Sequence, residues 1–439
     1  MKKIFLYTIM AVVAFTMQSC LHDNDDVFEQ SAAERIDAAV TNAEEVLVSA
    51  QNGWVLHYYA GQEYAYGGLN LAMKFKDGKV TMYQQGAIDN NDNYITLTST
   101  YKFTRDQGPV LAFDTYNDFL HSWGDPMAAN APTDVDGWEA DYEFVVMNIS
   151  EDQNTITLKG KKFGNKMLME RLNVSPEEYF NEADVVASAF DYYSKLNYRK
   201  DGKKARFMND GSEFTIQYLD EEDNILEMTV PFTYTNNGVL FNQPIELYGQ
   251  TISGIQVNIE TAEDGTISVT GFQLKDDASQ VLTEPNDPNE IFAKYNWYVA
   301  ASNLGTVAKA GFEKFVESCA TNEKEVVEYM YLGTYTYRNT KYYGLAFKSG
   351  RYTGCTTVGV DADFADGNKI TFTPDELVSN ATWYTNNDFY GEATDPYFNT
   401  FNIEYDNDAA PTKVTLTDVN NPENVIILTT EEITTPAEK

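Results

Sequence analysis

MKFKDGKVTMY, residues 73–83, sets two short alternating runs on either side of an Asp-Gly pair. The same form returns as ARFMNDGSEFTIQY at 205–218 and LAFKSGRYTG at 345–354. Apolar residues at every second position, bounded by glycine-containing turns, mark an antiparallel hairpin with one buried face. A second hairpin recurs as FTRDQGPVLAF from Phe103, FTYTNNGVLF from Phe232 and FADGNKITF from Phe364; its glycines, Gly108, Gly238 and Gly367, are 130 and then 129 residues apart. A third strand recurs as NTITLKG, GTISVTG and TKVTLTD, from Asn154, Gly265 and Thr412. The order is the same each time.

Helices precede this β material. Ser31-Ala32-Ala33-Glu34 is a capping box, opening an amphipathic helix with Ala33, Ile36, Val40, Ala43 and Leu47 on one face and Gly53 beyond its end. Ser175-Pro176-Glu177-Glu178 opens a second with proline at the first helical position, and Val186, Ala189, Phe190 and Tyr193 follow. A third runs from about Thr306 to Cys319, and Asn289 to Ala300 also reads as helical. The prediction is an α+β, β-dominated chain of three divergent repeats, each a helix plus an antiparallel sheet, sandwich or barrel-like. The repeats occupy residues 31–172, 173–287 and 288–439. They are far longer than solenoid or propeller repeats, so each has residues enough for its own core. The 30 tyrosines and 25 phenylalanines suit pleated, well-filled sheets.

The total of 439 residues agrees with two or three domains at about 150 residues each. With 31 basic against 67 acidic residues, the net charge of −36 repels a phosphate backbone and excludes nucleic acid as a partner. Anionic headgroups are repelled too, so membrane attachment has to be covalent or hydrophobic.

Such an attachment is written at the start of the chain. Met1-Lys2-Lys3 and the fourteen-residue run IFLYTIMAVVAFTM at 4–17 form a signal peptide over 1–19, too short to span as a mature helix. Met17-Gln18-Ser19-Cys20 places a small residue before a cysteine, as in a bacterial lipobox, although Gln18 is more polar than the usual occupant. Cys20 is the expected lipid attachment site, followed by an acidic tether over 20–30 that contains LHDNDD. Cys319 and Cys355 then remain, as one disulfide or as reduced core thiols, and two cysteines do not build a Cys-rich zinc site.

The signal and lipobox, SAAERI at the first helix, FDTYNDFLHSWGDP at 113–126, DYEF at 141–144 and LKGKKFGN at 158–165 together resemble the Bacteroidota lipoproteins grouped as domain-of-unknown-function family 4302. The resemblance covers most of the chain and is strongest in the first 170 residues. It implies a lipid-anchored protein of the outer membrane facing the cell exterior, associated with nutrient-import systems, and carries no catalytic residues with it.

Three histidines, His22, His57 and His121, include no HExxH pair, and no GxSxG elbow or phosphate-cradling glycine loop is present. His57 lies in the strand-like WVLHYY, where a polar member is a structural residue. No catalytic residue, metal ligand or cofactor is assigned. Asp134, Asp136, Glu139 and Asp141, and Asp361, Asp363 and Asp366, lack the spacing of an EF-hand and read as acidic turns. The leading contact candidate is ATWYTNNDFYGEATDPYFNTF at 381–401, a poorly periodic stretch in which Trp383, Tyr384 and Tyr390 are interleaved with Asn386 and Asp388. Aromatic plates beside amide and carboxylate groups suit sugars, and the same composition suits a protein interface or a core beneath a loop. His121, Trp123 and Asp125 form a second candidate. The expectation is a non-enzymatic accessory to outer-membrane uptake of glycans or glycopeptides. The alternatives are a structural subunit of an outer-membrane transporter complex, or an unrecognised hydrolase; the partners expected are the membrane through the anchor, a glycan or glycopeptide, and an outer-membrane importer.

Overall fold

The computed structural model describes residues 31–434 and 436, apart from 107, 128–129, 133–134 and 265. The signal peptide, Cys20, the acidic tether and Asp134 lie outside the described residues.

The chain is β-dominated, with three closed eight-stranded antiparallel barrels. The first runs from β1 (Trp54–Tyr59) to β8 (Lys166–Arg171), the second from β9 (Lys195–Lys200) to β16 (Val281–Thr283), and the third from β17 (Trp297–Leu304) to β24 (Val425–Thr429). In each, the first strand pairs antiparallel with the last, as Trp54 faces Arg171, Leu282 faces Tyr198, and Tyr298 faces Thr429. An eight-stranded barrel has an interior that side chains just fill. Trp54, Leu56, Tyr58, Leu71, Met73 and Phe144 fill the first, and each such side chain contributes roughly 1.5–3 kcal/mol by leaving water.

By packing, the chain falls into two units. Among the described residues, one comprises those up to Ser188 with 231–244 and 253–255; the other comprises 189–230, 245–252 and those from 256 onward.

The first helix, α1 (Ala32–Ser49), begins with the reciprocal cap: the Glu34 amide donates to Ser31 Oγ at 3.3 Å and the Ser31 amide to Glu34 Oε2 at 2.9 Å. It buries Ala43, Val46 and Leu47, while Ala33, expected on that face, is exposed in the opening turn. Trp54 and Trp297, at the start of β1 and β17, are fully buried, and each indole donates to a carbonyl at the end of the preceding helical segment, Leu47 and Phe292, both at 2.8 Å.

The third repeat departs from expectation. Of Asn289–Ala300, only the end of α4, reckoned in chain order after α1, α2 (Asp118–His121) and α3 (Pro176–Tyr192), and a following turn are helical: α4 spans Pro288–Ile291 and the turn Phe292–Lys294. From Trp297 onward the chain is strand, because Trp297, Val299 and Ala301 alternate into the barrel. A strand therefore precedes helix α5 (Thr306–Ser318), whereas α1 precedes its whole barrel. Phe364, expected in a strand, lies in the turn between β20 (Tyr352–Ala362) and β21 (Lys369–Ser379). Cys319 and Cys355 are free and buried, so the core-thiol alternative is the one observed. Among the described residues no helix is long and apolar enough to cross a membrane.

Candidate functional site

After β5 (Pro109–Phe113) the chain turns into α2, whose first amide is capped by Asn117: its Oδ1 accepts from the Phe119 amide at 3.2 Å. At the other end of this single turn, His121 is fixed by backbone on both sides. Nδ1 accepts from the Asn117 amide at 3.1 Å, and Nε2 lies 3.2 Å from the Phe113 carbonyl, to which it donates. Both nitrogens are thus committed to the backbone, and the imidazole offers its flat face. It lies between two tyrosines, 5.4 Å from Tyr116 at 33° and 4.9 Å from Tyr142 at 25°. Tyr116 is 61% exposed and Tyr142 45%.

Tyr142 is held by its neighbour. The Asp141 side chain is buried just ahead of β6 (Glu143–Ile149), and its Oδ1 accepts from the Lys162 amide at 2.6 Å while Oδ2 accepts from the Phe163 amide at 3.2 Å. Burial raises the Asp141 carboxyl above its ordinary range, and these backbone N–H groups oppose that rise. The Asp141 carbonyl accepts from Tyr58 OH at 3.0 Å, tying the segment to β1. Ala140, Asp141, Tyr142, Glu143, Lys161 and Lys162 line a cavity of about 370 Å³. Lys161 Nζ lies 3.2 Å from Glu143 and 3.4 Å from Asp106, and the bond to Glu143 is the main reason its ammonium is held above the usual lysine value. Lys162 pairs with Asp136. Charged donors and acceptors thus lie beside an aromatic face, an arrangement suited to hydroxyl-rich ligands with apolar CH surfaces.

The other residues singled out in the sequence have different surroundings. Trp123 packs edge-on against Trp138 at 5.7 Å, with its indole nitrogen buried and unpartnered. Asp125 accepts from the Met127 amide at 2.8 Å, closing a local turn. Only His121 of that trio belongs to the stacked row.

The 381–401 stretch forms α6 (Ala381–Asn387), α7 (Tyr390–Thr394) and a 3-10 turn, Asp395–Tyr397, not a long loop. Tyr384, Asp388 and Tyr390 are at most 2% exposed. Tyr384 OH donates to Glu325 at 2.7 Å, Asp388 accepts from Ser318 at 2.9 Å and Asn322 at 3.2 Å, and Tyr390 OH accepts from the Thr356 amide at 3.2 Å. Buried and bonded in this way, these groups belong to the packing of the third barrel rather than to its surface. Trp383, 57% exposed and donating to Glu323 at 3.1 Å, and Asn386 remain at the surface. Tyr384 and Asp388 stand four residues apart, the helical spacing that signals a shared inward face.

Tyr116 and Tyr142 were not singled out by sequence reasoning; each lies within a stretch that carries the family resemblance. Asp363 and Asp366 cap backbone turns, Asp363 accepting from the Ala365 amide at 2.9 Å and Asp366 from the Asn368 amide at 3.1 Å. Among the described residues no group of three or more His, Cys, Asp or Glu is gathered for a metal ion.

A family described as Domain of unknown function (DUF4302) matches residues 24–259. No curated protein matches the chain. Similar solved structures include the DNA polymerase III beta chain of Streptococcus pneumoniae TIGR4, at 11% identity over 91% of this chain and 97% of that one, with a TM-score of 0.10. Another is the DnaN sliding clamp of Bartonella birtlesii LL-WM9, at 10% identity over 92% and 99%, with a TM-score of 0.12.

Proposed function

The chain belongs to the DUF4302 family, and on that premise we propose that it is a surface-tethered Bacteroidota lipoprotein that binds glycans or glycopeptides without transforming them, as an accessory to outer-membrane uptake. The observation that carries the reading is a convergence. Residues 113–126, 141–144 and 158–165, separated stretches that bear the family resemblance, supply the Tyr116–His121–Tyr142 row and all but Ala140 of the residues lining the adjoining cavity. Exposed aromatic faces take the CH surface of a sugar ring, while Glu143, Lys161 and Lys162 offer charged hydrogen-bond partners for its hydroxyls. Met1–Lys3, the apolar run at 4–17 and Cys20 support the anchor.

The test is a screen of the full chain, in detergent, against glycan and glycopeptide arrays, with a Tyr116→Ala, Tyr142→Ala variant alongside. Binding that weakens tenfold or more in the variant, about 1.4 kcal/mol, is expected. Undiminished binding in the variant, or none by folded wild-type protein, overturns the reading.

A further inference from the structure

A second cavity, of about 280 Å³, opens beside the end of β8, where Glu170, Tyr179 of α3 and Asn236 meet over an apolar wall of Val55, Leu172 and Val174. Glu170 is its acidic lining residue, with a side chain 30% exposed. It is oriented from behind by the fully buried His57, whose Nε2 lies 3.1 Å from Glu170 Oε2. The other imidazole nitrogen lies 2.7 Å from Thr233 Oγ1 and 2.9 Å from Asn70 Oδ1. Asn70 in turn donates to Gln85 at 2.9 Å and Gln85 to Asp184 at 2.8 Å, so the imidazole behind the carboxylate is braced from its far side.

Three donor side chains that line this cavity have partners elsewhere. Asn236 gives its NH₂ to Glu182 at 2.9 Å and Asn154 gives its own to Asp152 at 3.0 Å. Arg171 turns Nε and Nη2 to the Gln153 carbonyl, at 3.1 and 2.9 Å, with its guanidinium 4.6 Å from the centre of the Trp54 ring. Tyr179 is 5% exposed, and its hydroxyl lies against the Asn236 backbone without completing a hydrogen bond. A buried hydroxyl left this way is unfavourable, and a ligand that pairs with it relieves that cost.

We infer that this cavity binds a small organic cation, a primary ammonium on a short apolar body, with the ammonium between Glu170 and Tyr179 and the body against Val55, Leu172 and Val174. The charge sign follows from the Glu170 carboxylate, while the Arg171 guanidinium that also lines the cavity is turned to the Gln153 carbonyl and the Trp54 ring. The volume is well beyond the roughly 30 Å³ of one water, and the protein's net charge of −36 concentrates cations at its surface. The site shares no residue with the Tyr116–Tyr142 row and stands independently of the glycan reading.

Calorimetric titration of the full chain with n-butylammonium chloride, against n-butanol and sodium butyrate at matched ionic strength, tests it. Saturable one-to-one binding of the ammonium alone is expected, tenfold or more weaker in Glu170→Gln and several-fold weaker in Tyr179→Phe. Absent saturation, equal binding of butanol, or unchanged affinity in a folded Glu170→Gln overturns it. Should Glu170→Gln fail to fold, Tyr179→Phe decides, and unchanged affinity there overturns it as well.

Discussion

The carboxylate of Asp141 fills the space that a side chain at position 160 would need: a Cβ built on Gly160 overlaps Asp141 itself. Glycine at the end of β7 (Thr155–Gly160) is what lets the Lys162 and Phe163 amides close on that carboxylate. Gly160→Ala is therefore expected to expel Asp141 from its cradle and cost about 1–3 kcal/mol. A lower urea midpoint checks this; an unchanged midpoint contradicts it.

Adjacent aromatic residues in α6 should respond very differently to truncation. Tyr384→Ala empties a buried site and removes the bond to Glu325, so a loss of about 3–5 kcal/mol is expected. Trp383→Ala removes an exposed ring and should stay within about 0.5 kcal/mol. Equilibrium unfolding of the two variants would show the contrast.

Burial pushes the thiols of Cys319 and Cys355 up to about 12. At pH 8 only about one part in 10⁴ is thiolate, the reactive form. In a Cys20→Ala background, neither is expected to react with an aromatic disulfide reagent until the protein is unfolded, when both react. Rapid labelling of native protein would contradict the burial, and failure to label after unfolding would indicate a disulfide.

Acid should loosen the third barrel through Asp406. Its carboxyl is lowered from 3.8 to about 2, first by the Thr412 hydroxyl and then by the Lys413 amide. A depressed folded value means the contribution is fully present above the unfolded value and is lost as pH falls from about 4 to 2. Asp406→Asn should give a flatter melting-temperature profile over that window and converge with wild type at its acid end.

Much of the β organisation was legible because it is local. Period-two alternation on either side of Asp77-Gly78 places Met73, Phe75, Val80 and Met82 on one face, and all four are buried. Closure was less legible: whether a sheet folds on another or on itself depends on pairing such as Trp54 with Arg171, more than a hundred residues apart. The segment before Trp297 misled because a single turn of helix runs straight into an alternating strand. At the candidate site, His121 stood out as a rare residue type, whereas Tyr116 and Tyr142 are two of 30 tyrosines and acquire meaning only from the rings they flank. His57 was read as structural, and nothing local indicates that it braces Glu170 from 113 positions away.

The pairing of first strand with last has a consequence for a chain that carries related sheets in tandem. Similar neighbouring repeats are prone to trading strands while they fold, since an open edge accepts any complementary partner. Here β1 with β8, β9 with β16 and β17 with β24 use up those edges inside each copy. Once shut, a copy has no berth for its neighbour's strand, so three relatives can be threaded on one polypeptide without becoming entangled.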